Sequence, residues 1–263
     1  LQRVNSGMNR EDTFQKPTFR LGLTLWSAGM IGVVSTLLMS LPLSEGVELP
    51  MPLWLLKLVS LVQPGLLLTL AVWAGVNLAP KVDLHAPAFE AFAQRRNSFA
   101  ALRPQIKPGI AVGILSGLGL ALVSFVRPSV LAGIENMFDP PLAMRLLYGG
   151  ITEELLVRWG LMTFLLWAAW RLFGRDAREP TTKLVWGSIF LSALAFGALH
   201  LPMVFALADE ITSSLIVYIV GANSVFGVLF GYLFWRYGLE ASMIAHAMAH
   251  LVAFLTALMP FFS

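Results

Sequence analysis

The chain has 263 residues, of which 57% are hydrophobic and only 13% are charged, and its formal net charge is +3. Soluble domains carry about 25% charged residues, so a chain this apolar cannot cover a water-facing surface. The composition argues against a soluble enzyme, a disordered chain and a fibrous protein, and predicts an integral membrane protein. The small net charge argues against a nucleic-acid partner, and the lack of cysteine excludes disulfides and thiolate chemistry.

The chain begins with a polar N-terminal segment, residues 1–20. It lacks the apolar core of a cleavable signal peptide. We interpret residues 1–7, which precede Met8, as a candidate tag remnant.

Seven apolar stretches follow, and most are long enough to cross a hydrocarbon core about 30 Å thick as helices. They lack the two-residue alternation of barrel strands. The fourth is too long for one untilted span, and its prolines and glycines predict a separate interfacial or re-entrant piece around residues 140–150. We predict an all-α polytopic membrane protein, a bundle of seven or eight transmembrane helices with an intramembrane polar cavity. The stretches are 21–43, 53–78, 108–126, 142–173, 183–207, 211–235 and 239–262.

Basic residues are distributed unevenly between the two sides of this predicted bundle. With the N-terminus inside, 14 of the 18 basic residues fall in inner segments, and only Arg127 and Arg145 fall in outer ones. This bias predicts an odd number of spans with the C-terminus outside. The basic inner loop, residues 80–107, is either an interfacial amphipathic helix or a solvated loop beside anionic headgroups.

The first polar cluster inside an apolar stretch contains Glu153, Glu154 and Arg158. An ionisable side chain in a membrane costs at least about 2.5–3.5 kcal/mol, so we interpret the cluster as functional. On a helix, Glu154 and Arg158 share a face, which predicts an ion pair. Glu153 is turned about 100° away and is left free for another task. The alternative is a structural charge cluster at a helix end.

Three of the four histidines also lie in apolar stretches. His200 follows Phe196 by four residues, and alone it fits a packing role as well as a chemical one. His246 and His250 share one helical face and can present two nitrogens to one point. That spacing suits a metal site or a shared proton network, with helix packing as the alternative. His85, in the basic loop, is predicted to be a surface residue.

Together these residues resemble the ordered motifs of the CPBP intramembrane proteases, which include type II CAAX prenyl endopeptidases and bacteriocin-processing or immunity proteins. The resemblance covers residues 141–254 and implies catalytic core helices in 141–263, preceded by N-terminal transmembrane helices in 21–140. CAAX-type members usually have asparagine where this chain has His250, which weakens the prenyl-peptide assignment. The motifs are Glu153-Glu154-x-x-x-Arg158, Phe196-x-x-x-His200 and His246-x-x-x-His250.

The resemblance implies an intramembrane endopeptidase. Its substrate would be a membrane-tethered peptide or a prenylated CAAX-type protein, and its surroundings the lipid bilayer. We expect a multi-pass protein of the prokaryotic inner (cytoplasmic) membrane, and the sequence does not predict an oligomeric state. The site should lie several Å within the bilayer, enclosed by the last four spans.

Peptide hydrolysis needs an activated water, a proton shuttle and stabilisation of an oxyanion. We predict Glu153 as general base, His200 as its partner in polarising the water, and His246 and His250 as oxyanion donors. Supporting roles fall to Glu154 and Arg158, which would hold their helix in register.

Three alternatives remain open. In a zinc-dependent version, His200, His246 and His250 would bind Zn²⁺ with Glu153 as ligand or base, although the chain lacks a His-Glu-x-x-His motif. We favour the form without a cofactor. Buried ionisable groups also suit a proton-coupled transporter, which the lack of repeat symmetry disfavours. A non-catalytic membrane scaffold or immunity protein could keep the same motifs.

Overall fold

The computed structural model describes residues 10–39, 50–131, 140–174, 177–208 and 210–259, and the side chains of these ranges from residue 18 onward. The candidate tag remnant, residues 1–7, lies outside them. Every regular element within the described ranges is helical, and seven helical segments are long and apolar enough to cross a membrane. The predicted all-α polytopic fold is confirmed.

The described helices form the seven spans. They are α1 (Arg10–Ser35), α2 (Leu53–Ser60), α3 (Val62–Leu78), α4 (Pro87–Ala93), α5 (Ser98–Ser124), α6 (Leu142–Phe173), α7 (Thr182–Ala198), α8 (Leu201–Leu207), α9 (Ser213–Tyr237) and α10 (Leu239–Ala257). Helices α2 and α3 together form the second span, α7 and α8 form the fifth, and the short α4 lies outside the spans.

Helix α6 is continuous, so the expected separate piece around residues 140–150 is wrong. Pro140 and Pro141 precede the helix rather than break it, and Gly149 lies inside it. Wide π-helical turns cover Arg145–Glu153 and Leu155–Met162. Such turns are uncommon and occur often at functional sites, and here they carry the polar cluster.

The third span begins at Ser98, ten residues before the predicted boundary at 108. The side chain of Asn97 starts the helix by accepting a hydrogen bond from the Ala100 N–H at 3.0 Å. The apolar pattern begins later than the backbone helix because the first three turns of α5 include Arg103 and Lys107. Much of the predicted basic loop is therefore helical.

Small residues let α10 pack closely against α5. Gly109, Gly113 and Gly117 lie one turn apart on α5, and a Cβ at any of them would come within 2.7–2.9 Å of an α10 carbonyl oxygen. Such repeated small residues allow membrane helices to approach at backbone distance. This contact fixes the helix that carries His246 and His250.

The basic loop is also tied to α10. The buried Glu240 carboxylate accepts hydrogen bonds from the Ala88 N–H at 2.7 Å and the Phe89 N–H at 2.9 Å, which caps the start of α4. The basic loop also supplies an acceptor to α10, because Gln105 Oε1 of α5 accepts a hydrogen bond from the Ala241 N–H in the first turn of α10. These contacts position the N-terminal end of α10.

Candidate active site

The polar cluster forms where α6, α7, α9 and α10 meet. Helix α6 supplies Glu153, Glu154 and Arg158, and α10 supplies His246 and His250. Helix α7 contributes Phe196, and His200 lies in the turn after that helix. His246 is about 10 Å along α10 from its start at Leu239, so the cluster lies within the membrane-spanning segments.

Glu154 and Arg158 form a buried ion pair. Glu154 Oε1 lies 3.0 Å from Arg158 Nη1, and the side chains are 0% and 1% exposed. Arg158 Nη2 also donates to the Gly227 carbonyl at 3.0 Å, and its guanidinium lies 5.0 Å from the Phe196 ring centroid and 5.6 Å from that of Phe230. The predicted pair is confirmed, and its position indicates a structural charge pair closed to substrate.

His246 is held firmly beside this pair. Its Nδ1–H donates to Glu154 Oε1 at 2.7 Å. The ring stacks between Phe230 and His250, each with a centroid distance of 4.9 Å. In a neutral imidazole one nitrogen donates and the other accepts, so this contact leaves Nε2 of His246 as an acceptor.

Glu153 faces that nitrogen. Its Oε2 lies 3.8 Å from His246 Nε2, which is too long for a direct hydrogen bond and suited to a shared water. The Glu153 side chain is 22% exposed, whereas that of Glu154 is fully buried. Arg158 pairs with Glu154, and Glu153 is the accessible carboxylate of the two.

His200 and His250 complete the cluster in different ways. His200 Nδ1–H donates to the Phe196 carbonyl at 2.8 Å, and its ring packs edge-on against the Phe196 ring. No hydrogen bond or ion pair joins His200 to Glu153 in the described part of the chain. His250 packs over Gly149, where a Cβ would lie 2.7 Å from His250 Nε2.

Several residues outside the predicted set also shape this cluster. Phe230 stacks on His246, and Gly227 supplies a carbonyl to Arg158. Thr152 is fully buried and donates its hydroxyl to the Gly29 carbonyl of α1 at 2.7 Å, which fixes α6 next to Glu153. Gly227 belongs to a small-xxx-small pattern that signals helix packing, whereas no sequence pattern indicates the roles of Thr152 and Phe230.

The suitability of the cluster for a metal can be judged from its donors. Within the described ranges, no group of three or more His, Asp or Glu side chains is arranged to hold a metal ion. The proposed zinc set His200, His246, His250 and Glu153 does not converge on one point in this geometry.

Residues 138–252 match the model of a known protease family, described as type II CAAX prenyl endopeptidase Rce1-like. The resemblance that the motifs predicted is confirmed. The matched segment includes all six candidate site residues. No curated protein and no solved structure matches the chain.

The Rce1-like match and the seven spans together indicate the class of this protein. The chain is an integral multi-pass membrane protein. The family suggests CAAX-type intramembrane protease activity and a membrane-associated protein substrate.

Proposed function

We propose that this Rce1-like protein is an intramembrane endopeptidase in which Glu153 activates the attacking water. The observation that carries this proposal is the contrast between the two adjacent carboxylates. Glu154 is buried in an ion pair, whereas Glu153 is accessible and faces His246 Nε2 at 3.8 Å. A general base must be reachable by substrate and free to take a proton, and Glu153 meets both conditions.

The water would lie between Glu153 Oε2 and His246 Nε2. Both atoms accept hydrogen bonds, so together they can orient the two hydrogens of one water. As the water oxygen attacks the carbonyl carbon of the substrate, its proton passes to Glu153. His246 thereby takes the water-holding role expected of His200, because His246 is the histidine nearest to Glu153.

The tetrahedral intermediate needs a donor for its oxyanion, and His250 is the remaining candidate. His200 already donates its Nδ1–H to the Phe196 carbonyl, which leaves Nε2 of the neutral ring as an acceptor. His250 is half-buried at the edge of the cluster, so a substrate carbonyl can approach it. Preorganised donors at such a position typically contribute about 2.7–4 kcal/mol to catalysis. When the intermediate collapses, the C–N bond breaks and Glu153 returns its proton to the leaving amine.

The proposed substrate is a CAAX-type membrane protein with a prenyl group near the cleaved bond. The Rce1-like match supports this choice. CAAX-type enzymes usually carry asparagine at the position of His250. The first comparison is therefore between the cleavage rates of a prenylated and an unprenylated substrate.

A cleavage assay tests the proposal. Wild-type protein in proteoliposomes is given matched prenylated and unprenylated membrane-tethered peptides, and product is measured by mass spectrometry. Glu153→Gln should lower the rate by roughly 10²–10⁴-fold, since it removes the base and keeps the shape. Gly187→Ala, at an open position of α7, is the control and should cleave normally. Full activity of the Glu153→Gln variant would refute the assignment.

A second measurement addresses the zinc-dependent version of the enzyme. Metal content is measured in the purified wild type and in the His246→Ala/His250→Ala variant, together with activity after chelation. The metal-free proposal expects no stoichiometric zinc and no loss of activity with chelator. One zinc per chain that disappears in the double variant would replace it with the metallopeptidase alternative.

A further inference from the structure

A second feature of the molecule lies on α1, away from the proposed active site. An apolar groove of about 680 Å³ runs between α1 and α3. Its walls include Leu23 and Trp26 of α1 and Val72, Trp73 and Val76 of α3. Trp26 Nε1–H donates to Thr69 Oγ1 at 3.0 Å across the groove, which holds the two helices at a fixed separation.

A second cavity of about 490 Å³ adjoins the groove and has a different chemistry. It is lined by Arg20 of α1 and by Arg95 and Arg96, which follow α4. Leu23 lines both cavities, so the basic cavity and the apolar groove meet at one residue.

The three arginines are available to bind an anion. All three are exposed, and their guanidinium groups make no hydrogen bond or ion pair with any residue that the structure describes. Arg96 acts electrostatically on Glu90, but that carboxylate already accepts from the Ala86 N–H and pairs with His85. Arg95 adopts a left-handed backbone conformation with φ 57°, in a turn that places consecutive arginines beside α1.

The position of the two cavities matches the geometry of a lipid. The first span begins at Thr18 and the second ends at Lys81, so both ends lie on the same face of the membrane. Arg20 is therefore at headgroup level. From there the groove runs deeper along α1 past Leu23 to Trp26, where a lipid chain would lie.

We propose that this site binds an anionic phospholipid, with its phosphate between Arg20, Arg95 and Arg96 and one acyl chain in the groove between α1 and α3. Arginine binds phosphate through charge-assisted and bidentate hydrogen bonds, and basic pockets between membrane helices bind acidic headgroups. The apolar groove excludes a free phosphate as the main ligand, because its walls gain contact only with a hydrocarbon chain. This proposal is independent of the protease activity.

Lipid retention tests the proposal. Full-length protein is equilibrated in mixed micelles with equal amounts of phosphatidylglycerol and phosphatidylcholine that carry the same acyl chains. Native mass spectrometry then measures the lipid that remains bound. We expect phosphatidylglycerol to be retained in preference, and Arg95→Gln/Arg96→Gln to reduce that preference by roughly fivefold for each arginine removed.

Three further variants make the test specific. Arg20→Gln alone should weaken selectivity, and Gly22→Leu should reduce retention of both lipids, since a side chain there would enter the groove. Arg103→Gln/Lys107→Gln removes two exposed charges of α5 outside the cavity and should change nothing. Three results would overturn the proposal. They are equal retention of the two lipids by wild type, unchanged selectivity in both arginine variants, and displacement of phosphatidylglycerol by inorganic phosphate.

Discussion

At the scale of single residues, the two adjacent glutamates show how position on a helix separates roles. Glu154 shares a face with Arg158 and is enclosed by the Phe196 and Phe230 rings around its partner. Glu153 points toward the accessible part of the cluster. A charge in a membrane is tolerated when it is paired, and Glu154 meets this condition, whereas Glu153 keeps 22% of its side chain exposed.

The buried ion pair gives a prediction about stability. Glu154→Gln should destabilise the protein by about 3 kcal/mol, because it leaves the Arg158 charge buried and uncompensated. Glu154→Leu/Arg158→Met should recover much of that stability but not activity, since His246 would lose the acceptor for its Nδ1–H. Thermal unfolding in detergent, followed by tryptophan fluorescence, and the cleavage assay measure both effects. Equal stability of Glu154→Gln and wild type would contradict the structural role of the pair.

At the scale of helices, close packing of α5 on α10 determines where the histidines lie. The glycines at 109, 113 and 117 form the contact surface on α5. The small-xxx-small pattern that they form is visible in the sequence, but the identity of the partner helix is not.

The α5–α10 contact predicts that a methyl group added on α5 lowers both stability and cleavage rate. In Gly113→Ala the new Cβ would lie 2.6 Å from Met248 Cβ and 2.7 Å from the Ala245 carbonyl oxygen, so α10 must move. We expect roughly 1–3 kcal/mol lower stability and slower cleavage, because His246 moves with its helix. Gly221→Ala, with no atom near the added Cβ, is the matched control. If the two variants behave alike in unfolding and cleavage, the contact does not position the site.

The α4 region predicts a pH dependence. The hydrogen bond to Glu90 is the main reason that the pKa of His85 is raised to about 9. Burial lowers this pKa, and the hydrogen bond to Asp83 raises it. Burial alone would raise the pKa of Glu90, but its hydrogen bonds to His85 and Ala86 outweigh that effect and lower it. Protonated His85 therefore stabilises the fold fully below its ordinary pKa of 6.5, and this contribution disappears as the pH rises through about 9.

Unfolding temperatures measured across this range test the His85 interaction. The difference between wild type and His85→Gln should be largest below pH 6.5 and should vanish above about pH 9. Glu90→Gln, which removes the partner, should narrow the same difference. A gap between wild type and His85→Gln that stays constant with pH would show that the ion pair contributes nothing to stability.

At the scale of the whole molecule, large exposed apolar side chains cover the outer surface. Trp73, Leu122 and Phe173 are 66–81% exposed, which is the environment expected for lipid-facing positions. Composition alone predicted this class because no soluble fold could expose so much hydrocarbon.

Spans, motifs and the Glu154–Arg158 pair were predictable because each depends on local periodicity. The start of α5 at Ser98 was not, since a helix that continues through Pro104 and charged residues has no apolar signal there. The proximity of His246 rather than His200 to Glu153 was also hidden, because it depends on distances between helices. The catalytic roles of these residues stay predictions.

The capping of α4 by Glu240 has a consequence for biosynthesis. Chains are made from the N-terminus, so α10 leaves the ribosome after the helices that it contacts. Ala88 and Phe89 are therefore synthesised before the Glu240 carboxylate that accepts hydrogen bonds from their backbone N–H groups. His246 reaches Glu153 only once α10 has docked, so a nascent chain that still lacks α10 cannot form the proposed water-binding pair.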